Sequence, residues 1–253
     1  MRITNKVKSI LANYSGENTG CLLNLSRLLM HGKIGGSGKL VILPVDQGFE
    51  HGPLKSFIQN SMAFDPLYHF NLAVEAELSA YAAPIGMIEA VADKNIGQIP
   101  IILKLNNANS LRKYNIPDQA ITSSVKDALR HGCIGVGMTL YLGSEKANEM
   151  IEEVRELIAE AKSHGLITII WSYPRGGDIS EEVREALDIC CYSAHVAALL
   201  GGHIIKVKPP KQIFYNKTIH DLLIKQGVKI DNLAERIQLV VKSCFNAKRV
   251  VLF

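Results

Sequence analysis

The stretch 166–177 reads LITIIWSYPRGG, an apolar run that ends abruptly in a polar, glycine-rich turn. The apolar part, 166–171, is short and rich in isoleucine, which favours a strand that is buried on both faces. Such strands belong to parallel sheets covered by helices on both sides. This stretch therefore predicts one strand of a parallel α/β sheet, followed by a turn at its carboxyl end.

The same pattern recurs along the 253-residue chain. Six further short apolar runs predict strands at 40–45, 80–85, 101–105, 134–140, 203–207 and 249–253. Longer segments with helical spacing predict helices at 65–78, 118–131, 144–164, 181–200 and 231–247. Ser144 and Ser180 are expected to cap the helices 144–164 and 181–200 at their N-termini, and Gly132 and Gly165 to end the helices 118–131 and 144–164.

Strands that alternate with helices allow either a doubly wound open sheet or a TIM-type (βα)8 barrel. Polar residues follow several predicted strands at their carboxyl ends, namely Asp46, Asn106, Tyr141, Tyr173 and Lys206. Groups from different strands converge at this rim of a barrel, so their placement favours the barrel. Because the chain ends within the seventh predicted strand, we expect an incomplete barrel. Its predicted parts are an N-terminal extension, 1–38, packed on a barrel, 39–253, that lacks its last strand and helix.

Composition argues against several classes of protein. The net charge of +4 and the 6% aromatic content are too low for a typical nucleic-acid binder. The sequence has no apolar run of ~18 residues for a membrane span, no signal-peptide pattern and no C-x-x-C pair among its five cysteines. We therefore expect a cytoplasmic protein that binds neither nucleic acid nor membrane.

Lys206 and Lys208 come at the end of the predicted strand 203–207. Burial disfavours an ammonium group and leaves an amine that can form a Schiff base with a ketone, which makes carbon–carbon cleavage possible. The structural alternative is a lysine that extends to solvent from the edge of the sheet. Because side chains alternate along a strand, both lysines are expected on one face, and either could point inwards.

The loop 46–53, DQGFEHGP, carries two carboxylates and a histidine. Asp46 directly follows a strand, where a general acid or base would be placed. Asp46, Glu50 and His51 could instead bind a metal, although no further ligand is evident from another strand end. A turn with solvated side chains is the structural alternative.

The turn 171–177 offers a second set of reactive side chains. Tyr173 could transfer a proton, and the N–H donors of Arg175 could bind a phosphate group. The structural alternative is that Trp171 and Tyr173 belong to the core while proline and glycine shape the turn.

Taken together, five motifs resemble those of the archaeal-type class I fructose-bisphosphate aldolases, which bacteria also carry. The motifs are LPVDQGFEHG (43–52), KLN (104–106), TLYLGS (139–144), WSYPRGG (171–177) and IKVK (205–208). The resemblance extends from about Gly32 to Phe253. It implies a (βα)8 barrel that reversibly cleaves fructose 1,6-bisphosphate to dihydroxyacetone phosphate and glyceraldehyde 3-phosphate.

The resemblance also implies a role for individual residues. Lys206 would form the Schiff base, and Tyr173 and Asp46 would transfer protons. The implied substrate-binding residues are Trp171, Arg175, Lys104, Lys208 and His51, and the charge of Lys104 would favour a neutral Lys206. The resemblance further implies that a covalent Schiff base takes the place of a metal cofactor, that the partner is a sugar phosphate, and that the protein forms a homo-oligomer, as family members do.

Family members continue beyond the strand 249–253 into an eighth strand and a phosphate-binding loop. A truncated, non-catalytic remnant of such an aldolase is therefore one alternative. A second is an aldolase of the same superfamily that acts on another sugar phosphate. A third, weaker one is a metal-dependent aldolase or isomerase that uses Asp46, Glu50 and His51.

Overall fold

The structure, a computed structural model, describes residues 2–94, 97–109, 111, 116–177 and 179–253. The described chain forms two compact units. Unit 1 comprises the described residues of Met1–Lys113, Gln119–Met138 and Ala159–Thr168, and unit 2 comprises those of Tyr114–Asp118, Thr139–Ile158 and Ile169–Phe253.

All seven predicted strands are present, together with two short strands that the sequence analysis did not predict. The strands are β1 Ile42–Pro44, β2 Ala80–Ala83, β3 Ile101–Lys104, β4 Asn106–Asn107, β5 Ala120–Ile121, β6 Gly135–Tyr141, β7 Ile167–Tyr173, β8 Ile204–Lys206 and β9 Val250–Leu252. The helices are α1 Asn5–Leu11, α2 Thr19–Met30, α3 Gln47–Glu50, α4 Pro53–Phe57, α5 Pro66–Glu75, α6 Ile85–Ala90, α7 Val125–Arg130, α8 Ala147–Ser163, α9 Leu187–Leu199, α10 Lys217–Lys225 and α11 Leu233–Ser243. Two 3-10 turns lie at Ala12–Tyr14 and Ser61–Phe64.

In unit 1 the parallel strands follow one another in sequence order. Strand β1 pairs with β2, β2 with β3, and β3 with the start of β6. The start of β7 lies next to β6, since the Ile167 amide donates to the Ile134 carbonyl at 3.1 Å. Strands β2 and β3 are fully buried, as their continuous apolar sequences predict. Tyr81 on β2 packs edge-on against Phe70 of α5, with ring centroids 6.0 Å apart.

In unit 2 the remaining strands continue in the same manner. The Leu142 amide donates to the Tyr173 carbonyl at 3.1 Å beside the ends of β6 and β7. Strand β7 pairs in parallel with β8, and β8 with β9. Ile169, Ile170, Ile204 and Ile205 at these pairings are completely buried. Their burial explains why isoleucine dominates both apolar runs.

The sequential strand order decides between the two predicted architectures. A doubly wound sheet reverses its strand order at a switch point, whereas the strands of a TIM-type barrel follow the chain in order. Apart from the short antiparallel pair β4 and β5, each strand here neighbours the next along the chain. The predicted TIM-type class is confirmed, with seven parallel strands.

Residues 2–38 form hydrogen bonds with turns elsewhere in unit 1. The side-chain amide of Asn24 on α2 donates to the Gly165 carbonyl at 2.9 Å, at the turn before β7. The Lys33 amide donates to the Glu77 carbonyl at 2.8 Å. The boundary predicted between an extension, 1–38, and a barrel, 39–253, stays a prediction. None of the described helices has the length and apolar character needed to cross a membrane.

Two predicted helix starts are wrong. The helix predicted at 118–131 begins only at Val125, because Ala120–Ile121 forms β5 against β4, and Ser124 caps α7. The helix predicted at 181–200 begins only at Leu187, so Ser180 caps no helix. Residues 181–185 instead form turns, and Ala186 forms an isolated parallel bridge with Lys211, whose amide donates to the Glu185 carbonyl at 2.7 Å.

The predicted cap of α8 is wrong, whereas the two glycines predicted to end helices are confirmed. Helix α8 starts at Ala147, and Ser144 instead accepts a hydrogen bond from the Lys146 amide at 3.1 Å in the turn before it. Gly132 and Gly165 follow α7 and α8 with φ of 63° and 75°, as predicted for residues that end a helix.

Candidate active site

The candidate catalytic lysine of unit 2 is positioned by the pairing of β7 with β8. Lys206, the last residue of β8, lies opposite Trp171 in the parallel register. Tyr173 is two residues beyond Trp171 and therefore faces the same side of the sheet. The Lys206 ammonium donates a hydrogen bond to the Tyr173 hydroxyl at 2.7 Å and lies 5.1 Å from the centre of that ring. An amine and a phenol, both half-buried, thus meet at the strand ends.

Arg175 lies beside the same tyrosine, in the turn after β7. Its guanidinium group lies 5.1 Å from the Tyr141 ring centre and 5.6 Å from the Tyr173 ring centre. It also donates a hydrogen bond to the Tyr141 hydroxyl at 3.2 Å. Two aromatic faces therefore restrict the orientation of the guanidinium group.

Glycine is required where this turn packs against the end of β6. A Cβ added at Gly143 would lie 2.8 Å from the Gly176 carbonyl oxygen, and one added at Gly177 would lie 2.6 Å from the Gly143 carbonyl oxygen. Gly177 also has a φ of 58°. Larger residues at these positions would push the two backbones apart. Gly143 and Gly177 therefore keep Arg175 near Tyr141.

Lys208 does not join this group. Strand β8 ends at Lys206, so the alternation of side chains does not extend to Lys208. The exposed Lys208 ammonium pairs with Glu185 Oε1 at 3.0 Å, and Lys211 pairs with Glu185 Oε2 at 2.8 Å. Hydrogen bonds from these two lysines hold the pKa of Glu185 below its ordinary value.

Unit 1 contains a second polar group, at the ends of β1 and β3. The side chain of Lys104, the last residue of β3, is only 3% exposed. Its ammonium donates to the Asn106 carbonyl at 2.7 Å and lies 3.4 Å from Asp46 Oδ2. Burial lowers the pKa of Lys104, while the carboxylates of Asp46 and Glu50 oppose that shift. Asp46 is therefore paired with a buried amine at the carboxyl end of the sheet.

The histidine of the same loop lies apart from this pair. His51 is exposed and follows α3, where its amide donates to the Gln47 carbonyl at 2.9 Å. Among the residues that the structure describes, Asp46, Glu50 and His51 do not bring their ligand atoms within 4.8 Å of one another. The arrangement thus gives no support to a metal site built from these three residues.

Sequence reasoning did not predict the role of three residues that contact the predicted site residues. Tyr141 accepts the hydrogen bond from Arg175, and its position at a strand end was the available signal. Asn106 supplies the carbonyl that Lys104 contacts, in a motif that had been singled out for its lysine. Glu185 lies in a stretch predicted as helix, so no signal marked it as the partner of Lys208.

Comparison with known proteins gives a consistent result. Residues 40–241 match the family described as DeoC/LacD family aldolase. A relative from Chlamydia muridarum, described as a probable fructose-bisphosphate aldolase class 1, is 38% identical over 213 residues, which make up 81% of this chain. The match covers 61% of that relative, so the chain spans less than two thirds of its length.

Two solved structures are also similar. An archaeal fructose-1,6-bisphosphate aldolase, whose catalytic lysine is covalently bound to the carbinolamine intermediate of the substrate, is 28% identical with a TM-score of 0.64 over 90% of each chain. A fructose-bisphosphate aldolase from Slackia heliotrinireducens is 22% identical with a TM-score of 0.74, over 99% of this chain and 73% of that chain. The second likeness concerns the fold alone.

Proposed function

The chain belongs to the DeoC/LacD aldolase family, and from this premise we propose that it is a class I aldolase that reversibly cleaves fructose 1,6-bisphosphate. The products are dihydroxyacetone phosphate and glyceraldehyde 3-phosphate. The observation that carries the proposal is the 2.7 Å hydrogen bond between the Lys206 ammonium and the Tyr173 hydroxyl at the carboxyl ends of β7 and β8. This contact supplies a nucleophile and a proton carrier in one place.

In the proposed reaction the neutral Lys206 amine adds to the C2 ketone carbon, and the resulting carbinolamine loses water to give a protonated Schiff base. A base then removes the proton of the C4 hydroxyl. The C3–C4 bond breaks, its electron pair forms an enamine with the Schiff base, and glyceraldehyde 3-phosphate leaves. Protonation at C3 and hydrolysis release dihydroxyacetone phosphate and restore Lys206.

We assign the proton transfers to Tyr173 and Asp46. Tyr173 is supported by its contact with Lys206, since dehydration of a carbinolamine needs a proton carrier beside the amine nitrogen. Asp46 is supported by its position directly after β1 and by its pairing with Lys104. The ion pair orients the Asp46 carboxylate, so Lys104 acts as a positioning residue for it.

The remaining assignments concern substrate binding. Arg175 is the proposed phosphate ligand, because two aromatic rings hold its guanidinium group and its N–H fork matches phosphate oxygens. Trp171, 7% exposed and paired in register with Lys206, would line the site. Lys208 would have to exchange Glu185 for substrate, and the exposed His51 is a binding candidate by resemblance alone.

Three finer features of the proposal rest on the resemblance. The aldolase would use the covalent Schiff base on Lys206 in place of a metal cofactor. It would act on a sugar phosphate in the cytoplasm, without a nucleic-acid or membrane partner. It would assemble as a homo-oligomer.

Borohydride reduction in the presence of dihydroxyacetone phosphate tests the proposal, because it converts a Schiff base into a stable secondary amine. Peptide mass mapping is expected to find the adduct on Lys206, and Lys206→Met is expected to abolish it. Lys208→Met is the matched control and is expected to keep the adduct. An adduct on Lys208 would overturn the residue assignment. Folded protein without any adduct would favour the non-catalytic remnant.

A chelator separates the proposal from the metal-dependent alternative. Dialysis against EDTA is expected to leave the rate of fructose 1,6-bisphosphate cleavage unchanged, since no proposed step uses a metal. Loss of activity that a divalent cation restores would support the metal-dependent reading instead.

A further inference from the structure

A cavity of about 710 Å³ opens at the amino ends of β3 and β6, and all of its described lining residues belong to unit 1. Ile101, the first residue of β3, and Ile134, directly before β6, line it together with side chains of α2. We call it the amino-end cavity. Its volume falls within the range of small-molecule sites. Asp46 and Lys104 lie at the opposite, carboxyl ends of the strands, so the amino-end cavity is a different site.

The described lining residues of the amino-end cavity are of two chemical kinds. Most of them are apolar, such as Leu23 on α2 and Ile99 before β3. Among these described residues, the side chains that can carry a charge are all basic, namely Arg27, His31 and His131. A ligand that complements both kinds of residue carries a negative charge on an apolar body.

Two of the basic side chains belong to the end of α2. Arg27 is exposed in the last turn of this helix, and its guanidinium donates to the Asn24 side-chain oxygen at 3.1 Å. His31 caps the same helix, and burial lowers its pKa. A neutral imidazole still has one N–H donor. A carboxylate beside α2 could therefore accept hydrogen bonds from a guanidinium group and from an imidazole.

His131 contributes a buried polar atom to the same cavity. Among the residues that the structure describes, none forms a hydrogen bond with its Nε2. Glu89 Oε1 lies 3.5 Å from this atom and accepts a hydrogen bond from the Arg130 guanidinium at 2.9 Å, which offsets the charge of Glu89. A buried polar atom without a partner costs free energy. A ligand oxygen that accepts a hydrogen bond from Nε2 would recover this cost.

We propose that the amino-end cavity binds a carboxylic acid that carries an apolar chain or ring. The carboxylate accepts hydrogen bonds from Arg27, His31 and His131, and the apolar part is buried against residues such as Leu23 and Ile99. The active sites of TIM-type enzymes lie at the carboxyl ends of the strands, so the acid is a bound ligand and not a substrate. The proposal does not depend on Lys206, and binding can be measured without any activity.

Calorimetric titration with octanoate, below the concentration at which it forms micelles, tests the chemical class of the ligand. We expect saturable binding, with an affinity that rises about fourfold per methylene from hexanoate through heptanoate to octanoate. Octanol has the same chain without the charge. It is expected to bind about 10- to 100-fold more weakly, because hydrogen bonds to a charged group are lost.

A charge variant tests whether α2 binds the carboxylate. Arg27→Met keeps an apolar side chain of similar length and removes the guanidinium group. We expect it to weaken octanoate binding about 10-fold and to leave octanol binding unchanged. Arg155→Met is the matched control, because Arg155 is likewise exposed on a helix but lies outside the cavity. It should leave the affinity for octanoate unchanged.

A cavity-filling variant tests whether the apolar part of the ligand lies inside. Ala92 is exposed and lines the amino-end cavity. Ala92→Trp is expected to occupy part of the cavity and to abolish the rise in affinity with chain length. Ala159, which is exposed on α8, lies outside the cavity. Ala159→Trp is therefore the matched control, and we expect it to retain the rise.

Circular dichroism establishes that each variant is folded before it is titrated. Folded, unchanged protein that shows no saturable binding of octanoate would overturn the proposal. Equal affinities for octanoate and octanol would also overturn it, since the charge would then contribute nothing. Unchanged octanoate binding in both Arg27→Met and Ala92→Trp would overturn it as well, because the ligand would then bind elsewhere on the protein.

Discussion

The hydroxyl group of Tyr173 is the part of the proposed site that chemistry can remove most cleanly. Tyr173→Phe deletes the oxygen that accepts the hydrogen bond from Lys206 and retains the ring beside Arg175. We expect kcat for cleavage to fall about 10²- to 10⁴-fold, the usual contribution of a general acid or base. Because the nucleophile remains, borohydride should still trap substrate on Lys206, but more slowly, since the carbinolamine loses its proton carrier. Steady-state kinetics and mass mapping provide the two measurements.

Tyr215→Phe is the control for this prediction, since Tyr215 is 52% exposed and belongs to no proposed site. It should leave both kcat and trapping unchanged. If Tyr173→Phe retained the full kcat, the role of proton carrier would pass to another residue.

Lys104 gives the folded protein a pH dependence whose sign follows from its burial. Burial lowers the folded-state pKa of Lys104 below its ordinary value of 10.5. Below the folded-state pKa both states bind the proton. Between that pKa and 10.5 only the unfolded chain binds it, so the free energy of unfolding rises with pH, by at most about 1.4 kcal/mol per pH unit. Above 10.5 the contribution is constant.

Comparison with Lys104→Met isolates this contribution, because the other titrating groups are shared. Urea denaturation from about pH 7 to about pH 10.5 should show the stability of the unchanged protein rising relative to the variant. If the free energy of unfolding of the unchanged protein instead falls with pH relative to the variant, the ion pair with Asp46 outweighs burial and raises the pKa of Lys104.

At the residue scale the sequence predicted which side chains lie at strand ends but not which of them meet. Because side chains alternate along a strand, the sequence predicted the same face of the sheet for Lys206 and Lys208. The structure distinguishes them, since β8 ends at Lys206. The partner of Lys208 is Glu185, a distant residue whose position depends on backbone contacts between loops. Local periodicity carries no information on such contacts.

The turn between α11 and β9 is an unusual element. Phe245, Asn246 and Ala247 all have positive φ, at 58°, 56° and 64°. The left-handed conformation costs an ordinary L-residue roughly 1–2 kcal/mol. Ala247 is exposed, so replacing it affects the backbone and removes little packing.

We expect Ala247→Gly to raise the free energy of unfolding by up to about 1 kcal/mol, because glycine adopts this conformation without strain but loses more entropy on folding. Ala247→Val should lower it, since a β-branched residue tolerates positive φ poorly. Urea denaturation with unchanged m-values measures both. Equal stability of the two variants would contradict a left-handed Ala247.

Short apolar runs predicted the strands well, because burial on both faces leaves a local signature. The helix starts were harder to predict. The capping-box spacing of Ser124 and Asp127 marked the start of α7, but the helical period continued upstream of it and concealed β5. The pair β4 and β5 joins residues that are distant in sequence, which explains why no local pattern revealed it.

For the whole molecule, two strands that contribute residues to both units predict how the chain unfolds. Strands β6 and β7 each begin in unit 1 and end in unit 2. Neither unit can therefore lose these strands without affecting residues of the other. We infer that the two units unfold in one cooperative transition.

Buried thiols can report on this transition from both units. Cys133 lies in unit 1 and Cys190 in unit 2, and burial raises the pKa of each thiol to about 12. Since the thiolate is the reactive form, both should react with iodoacetamide only when the chain opens. In mild urea the opening free energies obtained from their labelling rates should agree within about 0.5 kcal/mol.

Mass mapping of the labelled peptides makes this measurement for each cysteine in one sample. Much faster labelling of Cys133 than of Cys190, or the reverse, would show that one unit opens alone. In that event the strands that run through both units would have to separate at the unit boundary, and cooperativity would be confined to each unit.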